Sequence, residues 1–328
     1  MINAASAVAS TIPARADVNP RALTRYAWAV LAYNIAVIGW GAAVRATGSG
    51  AGCGDHWPLC NGSVIQHYPT AATLIEFAHR ASSGVALVAV IGLLIWTFRD
   101  MPRRHLARSA SVAALALTLN EALLGALLVL LGKVAHDQSG SRAVYLGLHL
   151  TNTLLLLGAL ALTAHFLSRK QGFMHGSVEL RAPGIALTGI IAMLIVGVSG
   201  SLAALGDTLF PATSVRAAFL QDFSSESSWL VRLRWLHPAL SLLAGAFLIW
   251  LVYRAARIPM HRRLSLTVAS FGLVQFALGI GDIVLLTPTT MQLLHLLGAD
   301  LLWISLVVLL ARLCLPPIGC SAEICRMS

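Results

Sequence analysis

Within the apolar run Thr73-Leu74-Ile75-Glu76-Phe77-Ala78-His79-Arg80, five consecutive positions hold a carboxylate, an imidazole and a guanidinium. On a helix, Glu76 and His79 share a face one turn apart. An ionisable group inside a membrane span costs about 2.5–3.5 kcal/mol on insertion scales, so it is kept for a partner, for water or for a task. His149, His237 and His295 lie in equally apolar surroundings. Imidazole is a common axial ligand of haem iron, and inward histidines on facing helices are one way a helical bundle clamps a flat cofactor.

These side chains need a frame, and the composition indicates a membrane one. The 328 residues are 57% hydrophobic and 11% charged, with mean hydropathy +0.78. Soluble domains carry about 25% charged residues, so the chain reads as an all-α polytopic membrane protein. Eight runs approach the roughly 20 residues that cross a bilayer core: 24–44, 73–97, 109–131, 144–167, 185–205, 231–253, 264–286 and 291–313. The polar first twenty residues lack the apolar core of a signal peptide. The net charge of +10 resides in short loops between apolar runs, a placement that a membrane protein explains and nucleic-acid binding does not.

The loops after the second, fourth and sixth spans are short and basic: Arg99, Arg103, Arg104 and Arg108; Arg169, Lys170 and Arg181; Arg254, Arg257, Arg262 and Arg263. With Arg15, Arg21, Arg25, Arg312 and Arg326, these hold 16 of the 23 basic residues. The positive-inside rule then places both termini in the cytoplasm and loops 46–72 and 206–230 outside. Glu121-Ala-Leu-Leu-Gly125 in the third span is echoed by Gln275-Phe-Ala-Leu-Gly279 in the seventh. The expected organisation is therefore a pseudo-repeat of two four-helix bundles, 24–167 and 185–313. A cytoplasmic tail (1–23), a linker (168–184) and a second tail (314–328) complete it, and an axis along the membrane normal relates the copies.

His79, His149, His237 and His295 fall one on each even-numbered span, roughly 6–9 Å in from the outer end at 1.5 Å per residue. Two per repeat suit two bis-histidine haem sites. Small residues follow each by four, namely Ser83, Thr153, Ser241 and Ala299. Neither half offers the compact ligand set of a zinc site. The other seven of the 11 histidines read as solvated or interfacial: His56, His67 and His136 outside, His105, His175 and His261 inside, His165 near the inner end of the fourth span. Cys53 and Cys60 share the first outer loop, where an oxidising compartment favours a disulfide, either a staple or a redox-active bond. Cys314, Cys320 and Cys325 read as reduced and incidental.

Taken together, Glu76-x-x-His79-Arg80, the loop Gly48-Ser49-Gly50…Cys53-x6-Cys60-Asn61-Gly62, the later histidines and the eight-span repeat resemble the haem A synthase family. The resemblance covers residues 24 to 313 and implies an enzyme of the bacterial cytoplasmic membrane that oxidises the C8 methyl of haem O to a formyl group. It implies that His79 and His149 embrace the substrate haem, that His237 and His295 ligate haem b, and that Cys53 and Cys60 form the family's loop disulfide. It also implies haem O synthase as the haem donor, an electron-transfer partner, and contact with lipid but not nucleic acid; self-association is left open. Two departures stand out. Loop 206–230 lacks the second cysteine pair of some members, and Glu121 stands where the other half has Gln275, a carboxylate that could pair with Arg142 or Arg80.

For Glu76 the resemblance and the spacing suggest acid–base or electrostatic catalysis at the methyl-derived carbon. The competing reading is that it orients His79 or pairs with Arg80. A dihaem b-type cytochrome oxidising quinol, or a haem transporter, would need the same four histidines. Glu76 beside only one of them and the outer cysteine pair favour the enzyme.

Overall fold

The computed structural model describes residues 20–63, 68–135, 137–169 and 183–315. The expectations for His67, His136, His175, Lys170, Arg181, Cys320, Cys325 and the tails beyond residues 20 and 315 lie outside these. The described residues are all-helical: α1 (Pro20–Ala46), α2 (Ala71–Asp100), α3 (Leu106–Leu130), α4 (Gly140–Ser168), α5 (Pro183–Leu209), α6 (Val215–Phe223), α7 (Trp229–Arg232), α8 (Leu236–Ala256), α9 (Arg262–Val284) and α10 (Thr289–Cys314). Eight segments are long and apolar enough to cross a membrane, the sixth formed by α7 and α8 together. Each overlaps one of the expected runs. Helices are what the bilayer requires, because no water is present there to satisfy open backbone groups.

Local chemistry sets the helix ends. Thr70 accepts the N–H of Thr73, and Ser139 that of Arg142, as side-chain caps for α2 and α4. The break before α8 has its own cause. Pro238 has no N–H to offer the carbonyl of Arg234, four residues back, and its ring would clash there in a continuous helix. That carbonyl instead accepts the N–H of His237 at 3.2 Å. The break, residues 233–235, therefore falls just before the histidine, which lies in the first turn of α8. Helix α6, between α5 and α7, has no counterpart among the expected runs, since at nine residues it is too short for a clear periodic signal.

Helices α1 to α4 close a ring in which each packs on the next and α4 returns to α1. Helices α5, α8, α9 and α10 close a second ring in the same way. The rings meet where α4 packs on α5 and α10, and α1 on α10. Trp303 of α10 is 2% exposed and donates its indole N–H to the Leu154 carbonyl of α4 at 2.6 Å. Gly158 makes room, with its missing β-carbon 3.6 Å from that indole nitrogen. Close approach across a small residue and an interhelical hydrogen bond are what hold helices together in lipid, where apolar burial supplies little drive. Val88, Ile95, Leu243, Ile249 and Leu273 are exposed on the outer faces, as lipid contact permits.

Candidate haem-binding site

Each of the four span histidines lies against a glycine of the preceding span. His79 faces Gly41 of α1, His149 faces Gly125 of α3, His237 faces Gly200 of α5, and His295 faces Gly279 of α9. A β-carbon on Gly200 would stand 2.8 Å from Cε1 of His237, one on Gly41 2.9 Å from Cε1 of His79, and one on Gly279 3.1 Å from Cε1 of His295. At Gly125 the corresponding distance to His149 is 3.8 Å, an ordinary contact. The glycines thus form seats for imidazole rings, a role that the general preference for small residues in membrane helices does not by itself predict.

The nitrogens of these rings are incompletely satisfied. Nδ1 of His79, of His149 and of His295 is buried without a hydrogen-bond partner, and such an orphan costs about 1–3 kcal/mol. Nδ1 of His237 lies 3.2 Å from the Ser199 hydroxyl, and Nε2 of His295 lies 3.1 Å from the Gln275 amide nitrogen. The rings of His237 and His295 have centres 6.2 Å apart, at 88° to one another. His79 and His149 lie within electrostatic reach of each other. Among the described residues no three His, Cys, Asp or Glu gather into a bare-metal site. A haem iron brings four pyrrole nitrogens and asks the protein for only axial ligands. Paired, glycine-seated histidines, three of which keep an unpartnered Nδ1, fit that group.

Glu76 does not touch His79. Its Oε1 meets Nη2 of Arg80 at 2.5 Å and its Oε2 accepts the backbone N–H of Cys53 at 2.8 Å, with the residue 3% exposed. Arg80 also donates to the carbonyls of His56 and Leu59, at 2.6 and 2.7 Å. Between them the two residues grip a loop closed by the Cys53–Cys60 disulfide, whose cysteines are both fully buried. Thr73 adds a hydrogen bond to the Gly52 carbonyl at 2.9 Å, and Gly52 lies so close to α2 that a β-carbon there would stand 2.6 Å from the Thr73 nitrogen.

The residue three before each histidine shows a shared use. Arg234 is 7% exposed and binds Asp207 and Asp222, each at 2.8 Å. Gln292 accepts from Arg45 at 2.8 Å, and Arg45 also reaches the Ala204 carbonyl and the Thr208 hydroxyl at 3.0 Å. Three of the four positions therefore carry polar side chains tying the ends of helices or loops together; the fourth is Leu146.

A carboxylate does approach a histidine, but it is Glu121, with Oε1 3.5 Å from Nδ1 of His149. Its other partners are the Asn152 amide and the Thr153 hydroxyl, both at 2.5 Å. The suggested pairing of Glu121 with Arg142 or Arg80 is not found. Arg142 instead donates to the carbonyls of Ala135 and Asp137, because it sits at the N-terminal end of α4, more than two turns from Asn152 and Thr153. The Glu121–Gln275 contrast was the sequence signal for this site; its partners were not readable.

Three histidines read as solvated or interfacial are buried: His105, His165 and His261 are 5%, 4% and 8% exposed. His105 caps α3, its Nδ1 accepting the Ala107 N–H at 3.1 Å. Cys314 is a buried free cysteine. His56 is exposed beside Asp55, as expected.

The family model described as "Cytochrome oxidase assembly protein" matches residues 24–307. A Thermus thermophilus protein named "Protoheme IX farnesyltransferase" is 44% identical over 294 residues, covering 88% of this chain and 48% of that relative. The chain thus spans about half the length of that relative. A "Heme A synthase" of Bacillus licheniformis is 32% identical over 225 residues, 66% of this chain and 70% of the relative. Another, of Alkalihalophilus pseudofirmus, is 36% identical over 146 residues, 44% and 45% of the two chains. The chain, a multi-pass membrane protein with its histidines seated in pairs, belongs to the COX15-CtaA family of cytochrome oxidase assembly proteins.

Proposed function

We propose that this protein is a haem A synthase of the bacterial cytoplasmic membrane, oxidising the C8 methyl of haem O to a formyl group. The observation that carries the reading is the fourfold pairing of a span histidine with a glycine seat, three of the four rings keeping a buried, unpartnered nitrogen. His79 and His149 hold the substrate haem, and His237 and His295 hold a haem b that supplies an electron-transfer centre. The two halves act as pseudo-repeated bundles. Both termini lie in the cytoplasm, and the Cys53–Cys60 loop lies outside, in accord with the basic loops.

Two successive two-electron oxidations, each adding an oxygen from water and releasing two protons and two electrons, take the methyl through the alcohol to the hydrated aldehyde, which loses water to give the formyl group. Positive character develops on the methyl-derived carbon, and a fixed carboxylate opposes it. Glu76 is our candidate. With both oxygens engaged by Arg80 and Cys53, its geometry favours electrostatic stabilisation over proton transfer. The disulfide loop, bound to Glu76 and Arg80, closes the outer side of the site.

The likeness to a longer Thermus protein named for farnesyl transfer to protohaem IX supports a farnesyltransferase as the donor of haem O, delivered within the membrane. A separate electron-transfer partner accepts the reducing equivalents. Expression in a host that makes haem O but lacks haem A synthase, followed by haem extraction and chromatography, tests the function. Haem A or its alcohol precursor is expected. Recovery of haems B and O alone, with bound haem reducible by quinol, would establish a dihaem cytochrome instead.

A further inference from the structure

The two halves differ most sharply around their fourth helices. In the first half Glu121 of α3 approaches Nδ1 of His149, and α4 offers Asn152 and Thr153, three and four residues after that histidine, to fix the carboxylate. Asn152 is itself held by the Leu117 carbonyl and by Asn120, both at 2.8 Å. In the second half the matching positions are Gln275, Gly298 and Ala299. There the neutral amide of Gln275 faces His295, and neither following residue has a side-chain donor. Sequence offsets and glycine seats coincide, Gly125 against His149 and Gly279 against His295, but the carboxylate approaches Nδ1 of its histidine and the amide approaches Nε2, so charge and the ring edge approached both distinguish them.

We propose that Glu121 is a positioning residue that holds the Nδ1 edge of His149 and gives the first-half iron site a carboxylate that the second half lacks. The inference rests on His149 being an axial ligand. Nδ1 of His149 makes no hydrogen bond, and Oε1 of Glu121 stands 3.5 Å from it, so the Glu121 oxygen is the acceptor at hand for its N–H, leaving Nε2, across the ring, for iron. A carboxylate behind a ligating imidazole orients the ring and makes it a stronger donor. A more electron-rich ligand favours ferric iron and lowers its reduction potential. Glu121 thus sets the first-half haem below the second, a gradient that runs from the substrate side toward the His237–His295 pair.

The test is an optical redox titration of the full-length chain purified in detergent with protohaem IX bound, read as two components. Glu121→Gln should raise the potential of one component by about tenfold in its reduction equilibrium, about 59 mV for one electron, and leave the other in place. Thr153→Ala, which removes one of the two donors that fix the Glu121 carboxylate beside His149, should move the same component the same way by less. Unchanged potentials in both Glu121→Gln and Thr153→Ala overturn the proposal, and Thr153→Ala decides alone if Glu121→Gln does not fold. His149→Ala separates the two levels. If it keeps both components, His149 is not a ligand and the functional reading itself fails; if it loses one while Glu121→Gln shifts nothing, only the role of Glu121 falls.

Discussion

The Oε2 of Glu76 accepts the backbone N–H of Cys53 at 2.8 Å, so the helix that carries His79 is bound directly to the disulfide loop. Glu76 is thereby both a tie between loop and helix and, in our account, the charge that faces the reacting carbon.

Glu76→Gln separates these duties, because a glutamine can keep the Cys53 bond but not the charge. Arg80 retains two carbonyl partners, so haem content should be unchanged, while haem O oxidation falls about 10²–10³-fold. Haem content and haem A yield on the same preparation check this. Joint loss of both would make Glu76 structural only.

Removal of the disulfide by Cys53→Ser with Cys60→Ser should cost about 2–3 kcal/mol for so short a loop and slow haem A formation. The haem sites should survive, since their histidines sit on helices paired independently of the loop. Loss of the haem spectrum in this variant would show that the loop builds the site.

The glycine seats give a graded prediction. Gly200→Ala and Gly41→Ala place a carbon 2.8 and 2.9 Å from a histidine ring, an overpacking that costs about 1–3 kcal/mol and should weaken haem retention in the matching half roughly tenfold or more. Gly125→Ala meets His149 at 3.8 Å and should leave haem retention intact. Haem per chain after gel filtration reads this; equal effects at all three positions would contradict the seat argument.

Much of this frame was legible in the residues. Span positions followed from length and hydropathy, and the histidine set from one-per-helix placement. The Glu121–Gln275 difference was visible as a mismatch in a repeat. The targets of the polar side chains were not legible. Glu76 and His79 share a helical face, yet the carboxylate turns to Arg80, four residues on, and to an amide in the preceding loop. Glu121 looked like a partner for an arginine, and only helix rotation shows that α4 presents Asn152 and Thr153 to it. His105 looked like one polar residue in a basic loop, and only the start of α3 makes it a cap.

That cap predicts a pH response. Burial holds the His105 imidazole below its usual pKa, and its Nδ1 accepts a backbone N–H only when unprotonated. The folded-state value therefore lies under the unfolded one of about 6.5. The stability it contributes is present above about pH 6.5 and declines as pH falls through the lowered value. His105→Asn, which caps without titrating, should flatten thermal stability between pH 7 and pH 5; an unchanged slope would remove His105 as its source.

Everything above depends on the four histidines forming two separate iron sites. The visible spectra and haem stoichiometry of His79→Ala/His149→Ala and His237→Ala/His295→Ala, measured beside the unaltered chain, test that most directly. The account predicts that each double variant loses one haem and keeps the other, the second pair taking the haem b bands with it. Two haems retained in either variant, or both lost in each, would contradict it.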